Sequence, residues 1–111
     1  MRLFDVHLND PGNGRLDASL SGELDLSTVA ELESRLEEAL RADPALLVVD
    51  LRDVTFLDSS GLRLLLRLDE RQREREGRLV LVKGGRRVSR VFELTGADEH
   101  LSFVADPSEV A

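Results

Sequence analysis

The sequence predicts an α/β domain with a mixed four- to five-stranded sheet and helices packed mainly on one face. Three observations carry this expectation. Apolar residues alternate with polar ones between Leu3 and Leu20, as in half-buried strands. They then recur at helical spacing in later segments, beginning at Val29, Leu62 and Val88. Between those segments lie short, unbroken apolar runs, the pattern of strands covered on both faces. Strand–helix–strand connections demand parallel neighbours, and a tight turn near the start demands an antiparallel pair. Right-handed crossovers then keep successive helices on one side of the sheet.

The elements follow in order. Leu3 to Leu8 sets Phe4, Val6 and Leu8 on one side and Asp5 and His7 on the other, which is a short strand. "NDPGNG" (Asn9 to Gly14) is dense in turn formers. Leu16, Ala18 and Leu20 alternate with Asp17, Ser19 and Ser21 and complete a hairpin. In "STVAELESRLEEALRAD" the period changes, and Val29, Leu32, Leu36, Ala39 and Leu40 share a helical stripe. Thr28 with Glu31 fits a capping box, with Ser27 as the alternative cap. Glu31–Arg35 and Glu37–Arg41 have the spacing of favourable pairs, and Asp43-Pro44 ends the helix.

"ALLVVDL" (Ala45 to Leu51) reads as a buried strand that ends near Leu51 and gives way to a loop. A helix is expected from about Ser60 to Glu76, with Leu62, Leu65 and Leu66 on its apolar face and Leu64 and Leu68 widening it. Its second half, "DERQREREG", is charged, with Asp69–Arg73, Glu70–Arg73 and Arg73–Glu76 able to pair and Gly77 placed as the stop. "RLVLVKGG" reads as another buried strand with a glycine turn. Val88, Val91 and Phe92 mark a third helix, closed by Gly96, and "LSFVAD" an edge strand. Asp106, Pro107 and Glu109 suit the cap, first and third positions of a final helical stub.

Composition narrows the function classes. A chain of 111 residues fits one domain. Its net charge of −7, from 22 acids against 15 bases, argues against direct nucleic-acid binding, which needs a positive surface. Without cysteine there is neither a disulfide nor a thiolate metal site. No apolar stretch is long enough to insert in a membrane, and "MRLFDVHLND" is too charged for a signal peptide, so the expected location is the cytoplasm.

Candidate chemistry is sparse. A serine nucleophile at Ser59 or Ser60 needs a base, yet His7 falls on the exposed side of a strand and His100 in the charged loop "ADEH". The G-x-S-x-G elbow is also missing. Asp98, Glu99 and His100 are consecutive, so their side chains do not converge on a metal. No HExxH or phosphate-binding glycine motif occurs. "KGGRR" (Lys83 to Arg87) could offer donors to an anion at a helix start, but a tight turn entering a helix is the preferred reading. The chain is therefore expected not to be an enzyme and to need no cofactor or metal.

"TFLDSSGLRLLL" (Thr55 to Leu66) stands apart. Asp58 has the type of an N-cap, Ser59 and Ser60 fill a first helical turn, and Gly61 permits close packing. A phosphate on Ser60 would add about −1.5 to −2 charges at a helix N-terminus. The helix dipole favours an anion there, so the fold should persist while a docked partner is expelled.

These segments resemble the STAS domain, and within it the bacterial anti-sigma factor antagonist family. "GELDLSTVAELESRLEEAL" (Gly22 to Leu40) is similar to the family's second-strand exit and first helix. "LLVVDLRDVTFLDSSGLRLLL" (Leu46 to Leu66) is similar to its central strand and phosphorylation segment, and "VSRVFELTGADEHLSF" (Val88 to Phe103) to its late helix and last strand. The resemblance covers residues 1–111 as a single STAS domain. It implies a protein that binds an anti-sigma factor, itself a serine kinase, and so releases a sigma factor. Phosphorylation by that kinase breaks the complex and a serine phosphatase restores it. Carried onto this sequence, the acceptor is Ser60, with Ser59 second, and the partner-binding positions are Asp25, Asp58, Ser59, Ser60, Gly61 and Leu62. The C-terminus departs from the pattern, because five residues follow Asp106 where family members often have a longer helix. The alternative role is a STAS accessory subunit of a transporter or lipid-trafficking complex.

Overall fold

The alternating N-terminal pattern folds as an antiparallel hairpin of β1 (Phe4–Asn9) and β2 (Arg15–Leu24). The computed structural model describes residues 3–110. After the hairpin come α1 (Val29–Leu40), β3 (Leu46–Leu57), α2 (Ser59–Glu74), β4 (Arg78–Val82), α3 (Arg86–Thr95) and β5 (Phe103–Val104). The strands line up in chain order, β1 antiparallel to β2 and the rest parallel. This is the mixed sheet the sequence predicts.

Side chains alternate across the continuous apolar strands. Leu47, Val49 and Leu51 of β3, with Leu79 and Leu81 of β4, pack against Leu32 and Leu36 of α1, Leu65 and Leu68 of α2, and Val88 and Phe92 of α3. The three helices therefore share one face. On the other face Val48, Val80 and Val82 form a smaller cluster closed by Val110. Val110 is brought there by a 3₁₀ turn at Pro107–Glu109, which has a capping box: Asp106 Oδ1 accepts from Ser108 N–H at 2.9 Å and Glu109 Oε2 from Asp106 N–H at 3.3 Å. Arg15 fastens the turn by donating to Val110 O at 3.0 Å. The expected stub thus exists as a single 3₁₀ turn.

Four local expectations need correction. First, β3 does not end near Leu51 but runs through Leu57, so the expected loop is strand. Its second half pairs with an equally extended β2, through Gly22↔Val54 and Leu24↔Leu57, with two register irregularities. Those irregularities leave Arg52 and Asp53 both exposed, which breaks the alternation and imitates a loop. Second, the Thr28–Glu31 capping box is not formed. The Thr28 hydroxyl instead donates to Glu23 O at 2.8 Å and accepts from Asp25 N–H at 3.0 Å. Third, α2 stops at Glu74, and the left-handed residue after it is Glu76 (φ 60°) rather than Gly77. Gly77 is needed for another reason, since a Cβ there would stand 3.0 Å from Ala45 O. Fourth, the charged loop expected at "ADEH" is a 3₁₀ turn over Ala97–Glu99, while Gly96, with a φ of 78°, closes α3 as expected. The Asp69–Arg73 pair forms at 3.0 Å.

Within the charged half of α2 one neutral side chain is fully buried. Gln72 donates through Nε2 to Pro44 O at 3.0 Å and to Arg78 O at 3.1 Å, and its Oε1 accepts from Arg71 at 3.0 Å. It joins α2 to the starts of β3 and β4.

Candidate functional site

β2 and β3 end side by side, with Leu24 opposite Leu57 and both buried. The chain leaves each strand into a helix start on the same end of the sheet. Between those starts sits Asp58, extended at φ −108° and ψ −174°. Its Oδ1 accepts from Ser60 N–H at 2.8 Å and Gly61 N–H at 3.0 Å, capping α2. Its Oδ2 accepts from Leu26 N–H at 3.2 Å, in the β2–α1 loop. One carboxylate therefore ties the two segments together. The task needs two acceptor oxygens, which an aspartate has and an asparagine lacks.

Close approach explains the glycine. A Cβ on Gly61 would lie 2.6 Å from Leu24 O and 2.6 Å from Leu57 Cδ1. The first turn of α2 thus presses directly on the strand ends. Leu62 is only 8% exposed and joins the core, so Gly61 and Leu62 shape this surface from beneath. Ser59 is exposed and Ser60 half-buried. Among the described residues neither hydroxyl makes a hydrogen bond within the protein.

The loop beside them is held by its own polar groups. Asp25 Oδ1 accepts from Ser27 Oγ at 2.6 Å and from Ser27 N–H at 2.9 Å, while Thr28 N–H donates to Asp25 O at 3.0 Å. These bonds, the Ser27 hydroxyl foremost, hold the Asp25 carboxyl below its usual range against a weaker desolvation effect. Asp25, Asp58, Ser59 and Ser60 are therefore brought together at one end of the sheet. Leu26, 76% exposed between Asp25 and Ser27, belongs to the same surface and was not singled out from the sequence. The available signal was an isolated leucine in an otherwise polar loop.

The other candidates stay apart from this end. His7 pairs with Ser19 midway along the hairpin and is exposed, and His100 lies beyond α3, where its carbonyl accepts from Arg73 at 2.9 Å. Among the described residues no cluster of His, Asp and Glu could hold a metal, and no helix is long and apolar enough to cross a membrane. At "KGGRR", Gly85 is the N-cap of α3 and supplies no side-chain cap.

Comparison with known proteins places this architecture. Residues 14–105 match the family model described as Mlab, STAS domain. An anti-sigma-B factor antagonist of Listeria monocytogenes is 28% identical over 94 residues, covering 85% of this chain and 82% of its own. The crystal structure of an anti-sigma factor antagonist from Mycobacterium paratuberculosis superposes with a TM-score of 0.85 at 29% identity, over 96% of this chain and 89% of its own. SpoIIAA of Bacillus shares the fold at 20% identity over 96% of this chain. Its unphosphorylated structure matches with a TM-score of 0.80 over 93% of that chain, and its phosphorylated structure with 0.73 over 96%. With the sheet order, the one-sided helices and the capped serine pair, these matches show that the chain belongs to the STAS domain family, among the anti-sigma factor antagonists.

Proposed function

We propose that this chain binds an anti-sigma factor through the end of the sheet formed by Asp25, Leu26, Asp58 and the first turn of α2. A phosphate on that turn switches the complex off. The observation that carries the reading is the Asp58 carboxylate, which locks the β2–α1 loop to the α2 N-terminus, beside two serine hydroxyls that make no hydrogen bond among the described residues. The relatives named as anti-sigma factor antagonists supply the partner class.

In this mechanism the anti-sigma factor, acting as a kinase, transfers the γ-phosphoryl group of ATP to a serine Oγ, and the hydroxyl proton leaves. The new dianion sits where the α2 dipole favours it, so the fold stays intact. A partner docked over the turn would have to desolvate that charge, and the complex breaks. A serine phosphatase reverses the change. The sequence ranks Ser60 first as acceptor. Accessibility instead favours Ser59, because it is exposed while Ser60 is half-buried.

The test is incubation with an anti-sigma kinase and ATP, followed by mass spectrometry and binding measurements. One phosphate is expected on the pair, lost in Ser59→Ala and kept in Ser60→Ala, and the phosphorylated protein should no longer bind. A complex indifferent to the phosphate would overturn the mechanism. The accessory-subunit alternative predicts co-purification with membrane ATPase or permease subunits.

A further inference from the structure

We infer that Leu26 is the apolar anchor of this docking surface, seated in an apolar pocket of the anti-sigma factor. The inference rests on the function proposed above and adds the residue that would hold the partner. Leu26 is 76% exposed, and its side chain contributes little to the core of its own chain. Exposed leucines are common and by themselves mean little. What distinguishes Leu26 is how firmly its backbone is held.

Its own N–H donates to Asp58 Oδ2 at 3.2 Å. The residue before it is fixed by Asp25 N–H donating to Thr28 Oγ1 at 3.0 Å, and that hydroxyl donates in turn to Glu23 O at 2.8 Å. The residue after it is fixed by both bonds from Ser27 to the Asp25 carboxylate. A side chain presented by so constrained a loop surrenders little conformational freedom on binding. Large, rigidly presented groups at the centre of a patch supply most of the energy of many interfaces.

Position links the anchor to the switch. Asp58 holds Leu26 with one oxygen and caps the serine turn with the other. A pocket that closes over Leu26 also closes over that turn, and a phosphate there would be stripped of water. The Asp25 carboxylate beside Leu26 calls for a basic or N–H-rich rim around the partner's pocket. Leu94 on α3 offers an internal comparison. It is 74% exposed, yet it lies on the third helix, outside the β2–α1 loop and the α2 turn that Asp58 ties together.

The experiment uses the full-length chain and purified anti-sigma factors from the same genome, each titrated by calorimetry. A factor that binds the wild type serves as probe. Leu26→Ala and Leu26→Gln should each raise Kd about tenfold or more, with thermal midpoints unchanged. Leu26→Met should restore binding to within about threefold, and Leu94→Ala should stay within about twofold. A wild-type complex that Leu26→Ala leaves unaltered overturns the anchor and spares the proposed function. So does a chain that dimerises alone and becomes monomeric in Leu26→Gln, since the leucine would then seat a second copy. If no anti-sigma factor binds the wild type, the proposed function fails and the anchor fails with it.

Discussion

Replacing Gly61 with alanine sets two opposed effects against each other. Alanine is the better helix former by about 1 kcal/mol in a helix interior, and by less in the first turn. Propensity alone therefore forecasts a slightly more stable protein. Against it stands the new methyl group, 2.6 Å from Leu24 O, 2.6 Å from Leu57 Cδ1 and 2.9 Å from Leu24 Cγ. Leu57 Cδ1 is the end of a side chain, but that side chain is buried. Leu24 O is backbone, and it accepts from Asp58 N–H at 3.3 Å, so it cannot retreat without loosening the α2 cap. Relief of such a contact typically costs about 1–3 kcal/mol, and a backbone obstacle favours the upper half of that range. The net expectation is a loss of about 1–2 kcal/mol, or roughly 4–12 °C in thermal midpoint for a domain of this size. Urea unfolding followed by circular dichroism, with an unchanged denaturant slope, measures it directly. A midpoint equal to or above wild type would refute the close-approach argument for this glycine.

Other expectations follow from the same contacts. Asp58→Asn keeps one acceptor but cannot also serve Leu26 N–H, so stability should fall by about 1 kcal/mol, with faster amide exchange at Leu26. Gln72→Leu leaves Pro44 O and Arg78 O without their donor and should lose about 2 kcal/mol in chemical denaturation, despite a side chain of similar size. Because the folded Asp25 has a lowered pKa, its contribution is present above the unfolded value and fades as pH falls through the folded one. Carboxyl NMR titration should find Asp25 titrating below ordinary aspartates, and Ser27→Ala should move it back up. Ser59→Ala should fold normally, within about 0.5 kcal/mol of wild type, because the residue is exposed and its hydroxyl makes no hydrogen bond among the described residues.

Much of the fold is legible because burial imposes periodicity. Val29, Leu32, Leu36 and Leu40 announce α1, and the runs at Leu46 and Leu79 announce strands covered on both sides. What escaped depends on partners remote in sequence. Arg52 and Asp53 look like loop residues until β2 is seen to extend beside them with an irregular register. Thr28 has the right type for a cap, but the β2 exit carbonyl took its hydroxyl first. Gly77 has the type of a conformational stop, yet what distinguishes it is close packing, with Ala45 O 3.0 Å from where a Cβ would stand. At the candidate site, Asp58 and the serines were legible because a cap is a local device. Leu62 reads as core or as contact with equal ease, and only its burial decides. For Leu26 the sequence offers only an isolated leucine in a polar loop, since exposure and loop rigidity are properties of the assembled strand ends.

The buried Gln72 amide has a bearing on the opposite end of its helix. Apolar packing alone tolerates a helix that slides or rotates slightly along a sheet, because one leucine can replace another against the same neighbours. A buried amide with two fixed acceptors does not tolerate it, since any slip strands its N–H groups away from Pro44 O and Arg78 O. Gln72 therefore acts as a benchmark for the axial position of α2. Ser59 stands thirteen residues upstream on that rigid rod, about 20 Å away at the rise of an α-helix. The height at which the serine turn meets a partner is thus surveyed from the opposite end of the sheet, by a side chain that is itself fully buried.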